Sequence, residues 1–202
     1  AARKEHAFHW PFEFPEVFEH GGFAAIVGNP PFVGGKKISS EYGMAYQDFL
    51  KESKTITKGA ADLCAYFFLS GYLLLKKSGI LGLIATNTIS QGDTREVGLD
   101  YIEKKGGKII RAINNLTWPG SAAVVVDIVH IIKGSYEGIL TLDNNGVTYI
   151  SPFLDNTQKI GNPFRLTQNT NKSFIGTFVN GIGFVITDEE AKALIQINPK
   201  NK

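Results

Sequence analysis

The chain has 202 residues, and 43% of them are hydrophobic, which suffices for one globular domain with a sizeable buried core. Its formal net charge is only +2, and the sequence has no single-sign tail that would bind nucleic acid indiscriminately. The one cysteine, Cys64, excludes a disulfide within the chain and favours a cytoplasmic location. No apolar run is long enough to span a bilayer, so we expect neither an export signal nor a membrane partner.

The first predicted strand is a short apolar run that stands directly before a proline-containing motif. Residues 23–27 (Phe-Ala-Ala-Ile-Val) end at Gly28 and are typical of a parallel strand buried on both faces. An aromatic segment over residues 8–15 precedes the strand, and we expect it to pack across the sheet edge. The motif Asn29-Pro30-Pro31-Phe32, called the NPPF motif below, follows the strand at once.

Downstream of the motif, the sequence alternates between helical and strand patterns. The predicted elements are a helix over residues 61–77 with Lys76 and Lys77 in its last turn and Gly79 just beyond, a buried strand over 80–86, a helix that begins at Asp93 and ends near Gly106, and a strand over 108–113. Strands and helices in this order imply βαβ crossovers and a mostly parallel sheet covered on both faces.

The end of the chain changes character. Residues 122–132 are rich in β-branched side chains, and residues 139–150 are split by Asn144-Asn145-Gly146, which indicates a hairpin. We therefore predict an α/β fold with a Rossmann-like sheet, mostly parallel and antiparallel at its end, over residues 1–151. Residues 152–202 are rich in Asn, Thr, Gly and Lys, with a helical pattern only at 188–196, and we interpret them as the lead into another domain.

The NPPF motif carries the chemistry predicted for this chain. It lies at the carboxyl end of a strand, where open α/β sheets bind their ligands, and each proline restricts the residue before it. The side-chain oxygen of Asn29 and the carbonyl oxygen of Pro30 can both accept hydrogen bonds from one substrate NH₂ group, which favours a nitrogen whose lone pair is free to attack. Phe32 can stack on the base that bears this amine, which is worth about 1–3 kcal/mol.

The run from Gly28 through the NPPF motif to Lys37 resembles the adenine-specific DNA methyltransferases of bacterial restriction-modification and related phage-defence systems. The resemblance implies S-adenosylmethionine as cofactor and a flipped adenine in DNA as substrate. Residues 61–67 resemble the segment that flanks the cofactor's adenosine, with Asp62 and Phe67 as cofactor-binding residues. Trp118-Pro119 resembles the family's second aromatic-proline pair, so Trp118 and Phe32 are expected to sandwich the base.

The sequence departs from this family in one respect. The glycine-rich loop that binds the cofactor's methionine end stands upstream of the motif in the family, and no such loop occurs in the residues before Asn29. We therefore expect this chain to be a fragment whose partner is the missing N-terminal half of the same protein, and expect no turnover by these residues alone. The tail resembles the lead into a DNA-recognition domain.

Several residues also have a simple structural interpretation. Gly34, Gly35, Lys36 and Lys37, called the lysine loop below, either contact DNA phosphates or form a solvated loop. Phe67 and Trp118 either bind ligand or fill the core, and the NPPF motif itself could be an ordinary turn. We assign no metal site, because the four histidines show no ligand spacing with each other or with Cys64.

Two other functions remain open at this stage. The same motif could act on a protein glutamine or on a guanine amine in RNA, although the tail favours DNA because such small enzymes need no recognition domain. A function of another class is a non-catalytic module that binds DNA or a partner through an inherited methyltransferase fold.

Overall fold

The computed structural model describes residues 8–53, 60–118, 124–157 and 187–198, together with Thr167 and Lys172. The chain forms two compact units, Ala1–Lys159 and Ile160–Lys202. Within the described residues, the first unit contains a six-stranded sheet with its helices, and the second contains helix α8 (Asp188–Ile197). The predicted boundary after residue 151 and the role of the tail stay predictions.

The first unit consists of short helices and a sheet of unequal strands. The strands are β1 (Phe23–Gly28), β2 (Leu75–Thr86), β3 (Gly107–Thr117), β4 (Val125–Lys133), β5 (Leu140–Leu142) and β6 (Asn145–Val147). The helices are α1 (Trp10–Glu13), α2 (Pro15–Glu19), α3 (Ile38–Tyr42), α4 (Met44–Ser53), α5 (Leu63–Leu74), α6 (Gly92–Val97) and α7 (Leu99–Lys104), with a 3-10 helix at Asn87–Ser90. In the described part of the chain, no helix combines the length and apolarity needed to cross a membrane.

The strand order in the sheet is β1-β2-β4-β3-β5-β6. β1, β2, β3 and β5 run in the same direction, while β4 and β6 are antiparallel to their neighbours. The predicted α/β class, with most strands running one way and antiparallel strands late in the chain, is confirmed. The insertion of β4 between β2 and β3 was not predicted, because pairing partners depend on contacts between distant segments.

The core lies between one face of the sheet and the helices α5, α6 and α7. Alternate residues of β2, namely Leu81, Leu83 and Ala85, are buried on that face, as expected for side chains that point to opposite sides of a strand. Phe68 and Leu69 of α5 are buried against them in the same cluster. Burial on this scale is the main stabilising contribution to the unit.

Strand β1 has the predicted position but not the predicted burial. Val27 is 86% exposed, and β1 pairs only with β2 among the described strands. The prediction of a strand buried on both faces is therefore wrong, because β1 is an edge strand of the described sheet. The aromatic segment does pack at this edge: the rings of Trp10 and Phe14 lie 5.6 and 5.5 Å from the ring of Phe23.

Helix α5 is shorter than the pattern predicted. It ends at Leu74, and residues 75–79 already belong to β2, whose Leu75 pairs with Phe23. The Nζ of Lys133 donates hydrogen bonds to the carbonyl oxygens of Leu73, at 3.2 Å, and Leu75, at 2.6 Å. These bonds satisfy carbonyl groups that the helix leaves free at its end, so tertiary contacts rather than Gly79 determine where the helix stops.

The helix predicted from Asp93 to Gly106 is divided in two at Gly98. A Cβ at Gly98 would lie 3.1 Å from the carbonyl oxygen of Thr94 and 3.4 Å from the Cβ of Ala65, so the two helices meet at a tightly packed position beside α5. The N-cap is Gln91, with no side-chain capping bond, which corrects the predicted cap at Asp93.

Two late predictions are confirmed with small changes. The hairpin of β5 and β6 exists, but its two turn residues are Asp143 and Asn144, with φ of 49° and 64°, as a type I′ turn requires. The turn therefore lies just before Asn145-Gly146. Helix α8 begins at the capping box formed by Thr187 and Glu190.

Candidate functional site

The NPPF motif lies directly after β1, at the end of the sheet where the carboxyl ends of β1, β2 and β3 are found. Asn29 is exposed, Pro30 is buried and Phe32 is half-buried. The motif is therefore open to solvent at Asn29 rather than sealed in the core. Of the two predicted acceptor residues, only Asn29 is exposed, while the buried Pro30 fixes the backbone beside it.

The segment after Phe32 is held in place by buried residues that alternate with exposed ones. Val33, Gly35 and Ile38 are buried, and the amide of Leu63 donates a 2.9 Å hydrogen bond to the carbonyl oxygen of Val33. The side-chain amide of Gln47 donates a 3.2 Å hydrogen bond to the carbonyl oxygen of Gly35. These contacts tie the lysine loop to α4 and to the start of α5.

The two glycines of the lysine loop have different surroundings. A Cβ on Gly35 would lie 2.3 Å from the carbonyl carbon and oxygen of Ala60, whereas a Cβ on Gly34 would meet nothing within 4 Å. The close approach of two backbone segments therefore requires glycine at position 35. Position 34 carries no such steric requirement.

A cavity of about 490 Å³ opens beside the motif. It brings Phe32 together with all four residues of the lysine loop, and its lining is Phe32, Gly34, Gly35, Lys36, Lys37, Glu41 and Ala60. Glu41 was not among the predicted site residues, although it stands four residues after Lys37, the N-cap of α3, a spacing that brings side chains close together on a helix. Two ammonium groups and one carboxylate thus share this cavity.

Asp62 and Phe67 occupy different environments on α5. Asp62 is the N-cap of the helix, where its side chain accepts a 3.0 Å hydrogen bond from the amide of Cys64. Burial and the neighbouring Asp62 carboxylate raise the pKa of the Cys64 thiol. Phe67 is 42% exposed on a helix whose other aromatic side chains, Tyr66, Phe68 and Tyr72, are buried.

Asp62 has a structural role that accounts for an aspartate at this position without a cofactor. It caps α5 through the Cys64 amide and is only 7% exposed. For Phe67, exposure argues against a simple core role. Which of the two side chains binds a cofactor stays a prediction.

Trp118 follows the last residue of β3 and is half-buried. Its amide donates a 2.9 Å hydrogen bond to the carbonyl oxygen of Val124. β1 and β3 are separated by three strand spacings, about 14 Å, and their carboxyl ends lie at the same end of the sheet. Trp118 therefore lies at the same end of the sheet as the NPPF motif. That Trp118 and Phe32 sandwich the base stays a prediction. Pro119 lies outside the described residues.

No group of three or more His, Cys, Asp or Glu side chains in the described ranges is arranged to hold a metal ion.

This chain is similar to known restriction-modification proteins. A family model described as Eco57I restriction-modification methylase matches residues 1–111. Among solved structures, the chain is similar to the type IIL restriction-modification enzyme MmeI in complex with DNA, with a TM-score of 0.68 and 23% identity over 92% of this chain and 27% of that chain. At this identity the likeness shows a shared fold. The chain spans only 27% of the length of that relative.

A second solved structure comes from Listeria monocytogenes and is provisionally assigned as a class I S-adenosylmethionine-dependent methyltransferase. It is 16% identical, with a TM-score of 0.45, over 59% of this chain and 36% of that chain. No curated protein sequence matches the chain.

The matched residues 1–111 include the NPPF motif, the lysine loop and helix α5, and they make up more than half of the chain. The motif, the sheet and the family model agree, and the chain belongs to the Eco57I restriction-modification methylase family.

Proposed function

We propose that this chain carries the target-amine part of a DNA methyltransferase that transfers a methyl group from S-adenosylmethionine to the exocyclic amine of adenine, within a restriction-modification system. The observation that carries the proposal is Asn29, whose side chain is exposed at the carboxyl end of β1 while Pro30 behind it is buried. An amide held at a strand end by a buried proline is suited to accept a hydrogen bond from an incoming NH₂ group.

The residues of the motif have different roles in binding the target base. The Oδ1 of Asn29 accepts one amine hydrogen, and the carbonyl oxygen of Pro30 accepts the other when the base enters. The half-buried Phe32 supplies a stacking surface for a base taken out of its duplex. With its hydrogens held in this way, the amine nitrogen would direct its lone pair at the methyl group that it accepts, and it would release one proton to solvent.

S-adenosylmethionine, when bound, supplies the methyl group. The residue of this chain that fits its adenosine is Phe67, because an exposed aromatic ring on an otherwise buried helix is free to pack against a purine. Asp62 stands at the start of the same helix, where its carboxylate holds the first turn through the Cys64 amide. These two residues would hold the adenosine part of the cofactor.

Adenine in DNA is favoured as target for two reasons. The lysine loop beside Phe32 offers two ammonium groups for a nucleic-acid backbone, and MmeI, which shares the fold, was solved in complex with DNA. The experiment distinguishes adenine in DNA from the amines of cytosine, of RNA and of protein side chains.

The test is methyl transfer by the full protein from tritiated S-adenosylmethionine to DNA, followed by digestion and mass analysis of the nucleosides. We expect the label in N6-methyladenine, and Asn29→Ala should lower incorporation by at least 100-fold while the melting temperature stays unchanged. Asn145→Ala, an exposed asparagine of the hairpin, is the control and should keep wild-type activity. Label only in RNA or protein, or full activity of Asn29→Ala, would overturn the proposal.

A further inference from the structure

The lysine loop forms one wall of the cavity beside Phe32. The cavity of about 490 Å³ lies within the range of roughly 300–1,000 Å³ typical of small-ligand sites. It is far larger than the volume of about 30 Å³ that one water molecule occupies in the liquid.

The loop backbone is fixed before any ligand arrives. Gly35 packs against the backbone of Ala60, the amide of Lys37 donates a 2.7 Å hydrogen bond to the carbonyl oxygen of Gly34, and Ile38 is 2% exposed. Exposed lysines on a mobile loop lose conformational freedom on binding, whereas a preorganised loop reduces this cost. The anchoring contacts therefore argue against the interpretation of this segment as a solvated loop without a role.

The lining of the cavity is asymmetric. Phe32 supplies the aromatic surface, and the remaining side-chain functions are the ammonium groups of Lys36 and Lys37 and the carboxylate of Glu41. The net charge of this set is +1, from two cations and one anion. A ligand that places a ring at Phe32 and an anion at the lysines matches this arrangement, as a nucleotide of DNA does.

We propose that this cavity is a backbone clamp for DNA, in which Lys36 and Lys37 hold phosphates next to the nucleotide whose base stacks on Phe32. The inference rests on the proposed function, and it adds the residues that hold the strand on one side of the target base. The Glu41 carboxylate in the same lining repels phosphate and so opposes the two lysines.

The experiment measures binding and not turnover, so its result is independent of methyl transfer. Binding of a fluorescent single-stranded oligo(dA) 20-mer to the full protein is followed by anisotropy over a series of salt concentrations. The slope of log K against log salt is about −0.7 for each phosphate contact to a single strand, so Lys36→Gln with Lys37→Gln should flatten it by about 1.4. Glu41→Gln should tighten binding without flattening the slope.

The matched control is the double variant Lys76→Gln with Lys77→Gln. These exposed lysines lie at the amino end of β2, which is the opposite end of the strands from the NPPF motif. It should leave the slope unchanged, and both double variants should melt at the wild-type temperature. An equal slope for wild type and the Lys36/Lys37 variant, or an equal change in both double variants, would overturn the clamp even if the protein methylates adenine. Tighter, lysine-dependent binding of oligo(A) RNA than of oligo(dA) would also overturn it.

The outcomes for clamp and catalysis are separable. If the slope flattens as expected but the protein methylates no DNA, the clamp stands and the proposed function fails. Asn29→Ala should bind oligo(dA) with the wild-type slope, because it contributes no positive charge.

Discussion

The amide of Leu63 donates a 2.9 Å hydrogen bond to the backbone carbonyl of Val33, which joins the loop after the NPPF motif to the first residue of α5. The bond connects two segments that are thirty residues apart in the chain. Asp62, the N-cap of α5, is the residue before Leu63. A displacement of the helix start would therefore be felt in the loop that follows Phe32, and the reverse also holds.

The two neighbouring glycines of the lysine loop should respond differently to alanine. Gly35→Ala places a Cβ 2.3 Å from the Ala60 backbone, so we expect it to lower the free energy of unfolding by about 1–3 kcal/mol, as overpacking usually does. Gly34→Ala has free space around the new methyl group and should change it by less than about 0.5 kcal/mol. Urea denaturation of both variants measures the difference, and equal stability would show that the Gly35–Ala60 contact is not maintained in solution.

Phe67 and Phe68 are adjacent on α5 but differ in exposure, 42% against 0%. Phe68→Ala should lower the free energy of unfolding by about 3–5 kcal/mol because it leaves a core cavity. Phe67→Ala should leave the unfolding midpoint close to wild type and weaken binding of S-adenosylmethionine, measured by calorimetry on the full protein. Wild-type cofactor affinity of Phe67→Ala would remove this residue from the cofactor site.

Asp62 can be tested for a capping role and a binding role separately. Asp62→Ala removes the acceptor for the Cys64 amide and should cost about 1 kcal/mol of stability. Asp62→Asn keeps a good N-cap side chain and should retain most of the stability. If cofactor affinity also stays at the wild-type level in Asp62→Asn, the carboxylate charge has no part in cofactor binding.

The Cys64 thiol should make stability depend on pH in the alkaline range. Burial, followed by the nearby Asp62 carboxylate, raises the pKa of this thiol above its ordinary 9.0. The unfolded chain therefore loses the proton first, and the stabilisation is complete below pH 9 and is lost as pH rises, by up to about 1.4 kcal/mol per pH unit.

The measurement is the free energy of unfolding between pH 8 and 10 for wild type and Cys64→Ala. Tyr149, whose pKa is raised to about 12 by burial and by its hydrogen bond to Glu103, is present in both proteins, so its own contribution cancels in the comparison. The difference between the two proteins should shrink as the pH increases. A constant difference over this range would mean that the folded protein does not keep the thiol protonated.

The sequence by itself determined the features that depend on local patterns. Apolar runs located β1 and the second half of β2, and the helical pattern over residues 188–196 located α8. Adjacent prolines after a strand located the NPPF motif and implied its restricted backbone. These predictions succeeded because short-range sterics and periodicity, which a linear sequence contains, govern such features.

Only the tertiary structure decided what depends on neighbours far away in the chain. Val27 is exposed on an edge strand, residues 75–79 join β2 because Leu75 pairs with Phe23 and Lys133 binds the Leu75 carbonyl, and β4 lies between β2 and β3. The sequence does not distinguish Gly35 from other loop glycines, whereas the fold brings the Ala60 backbone against it. Burial, pairing and cavity lining are properties of pairs of segments, and the sequence order does not specify which segments meet.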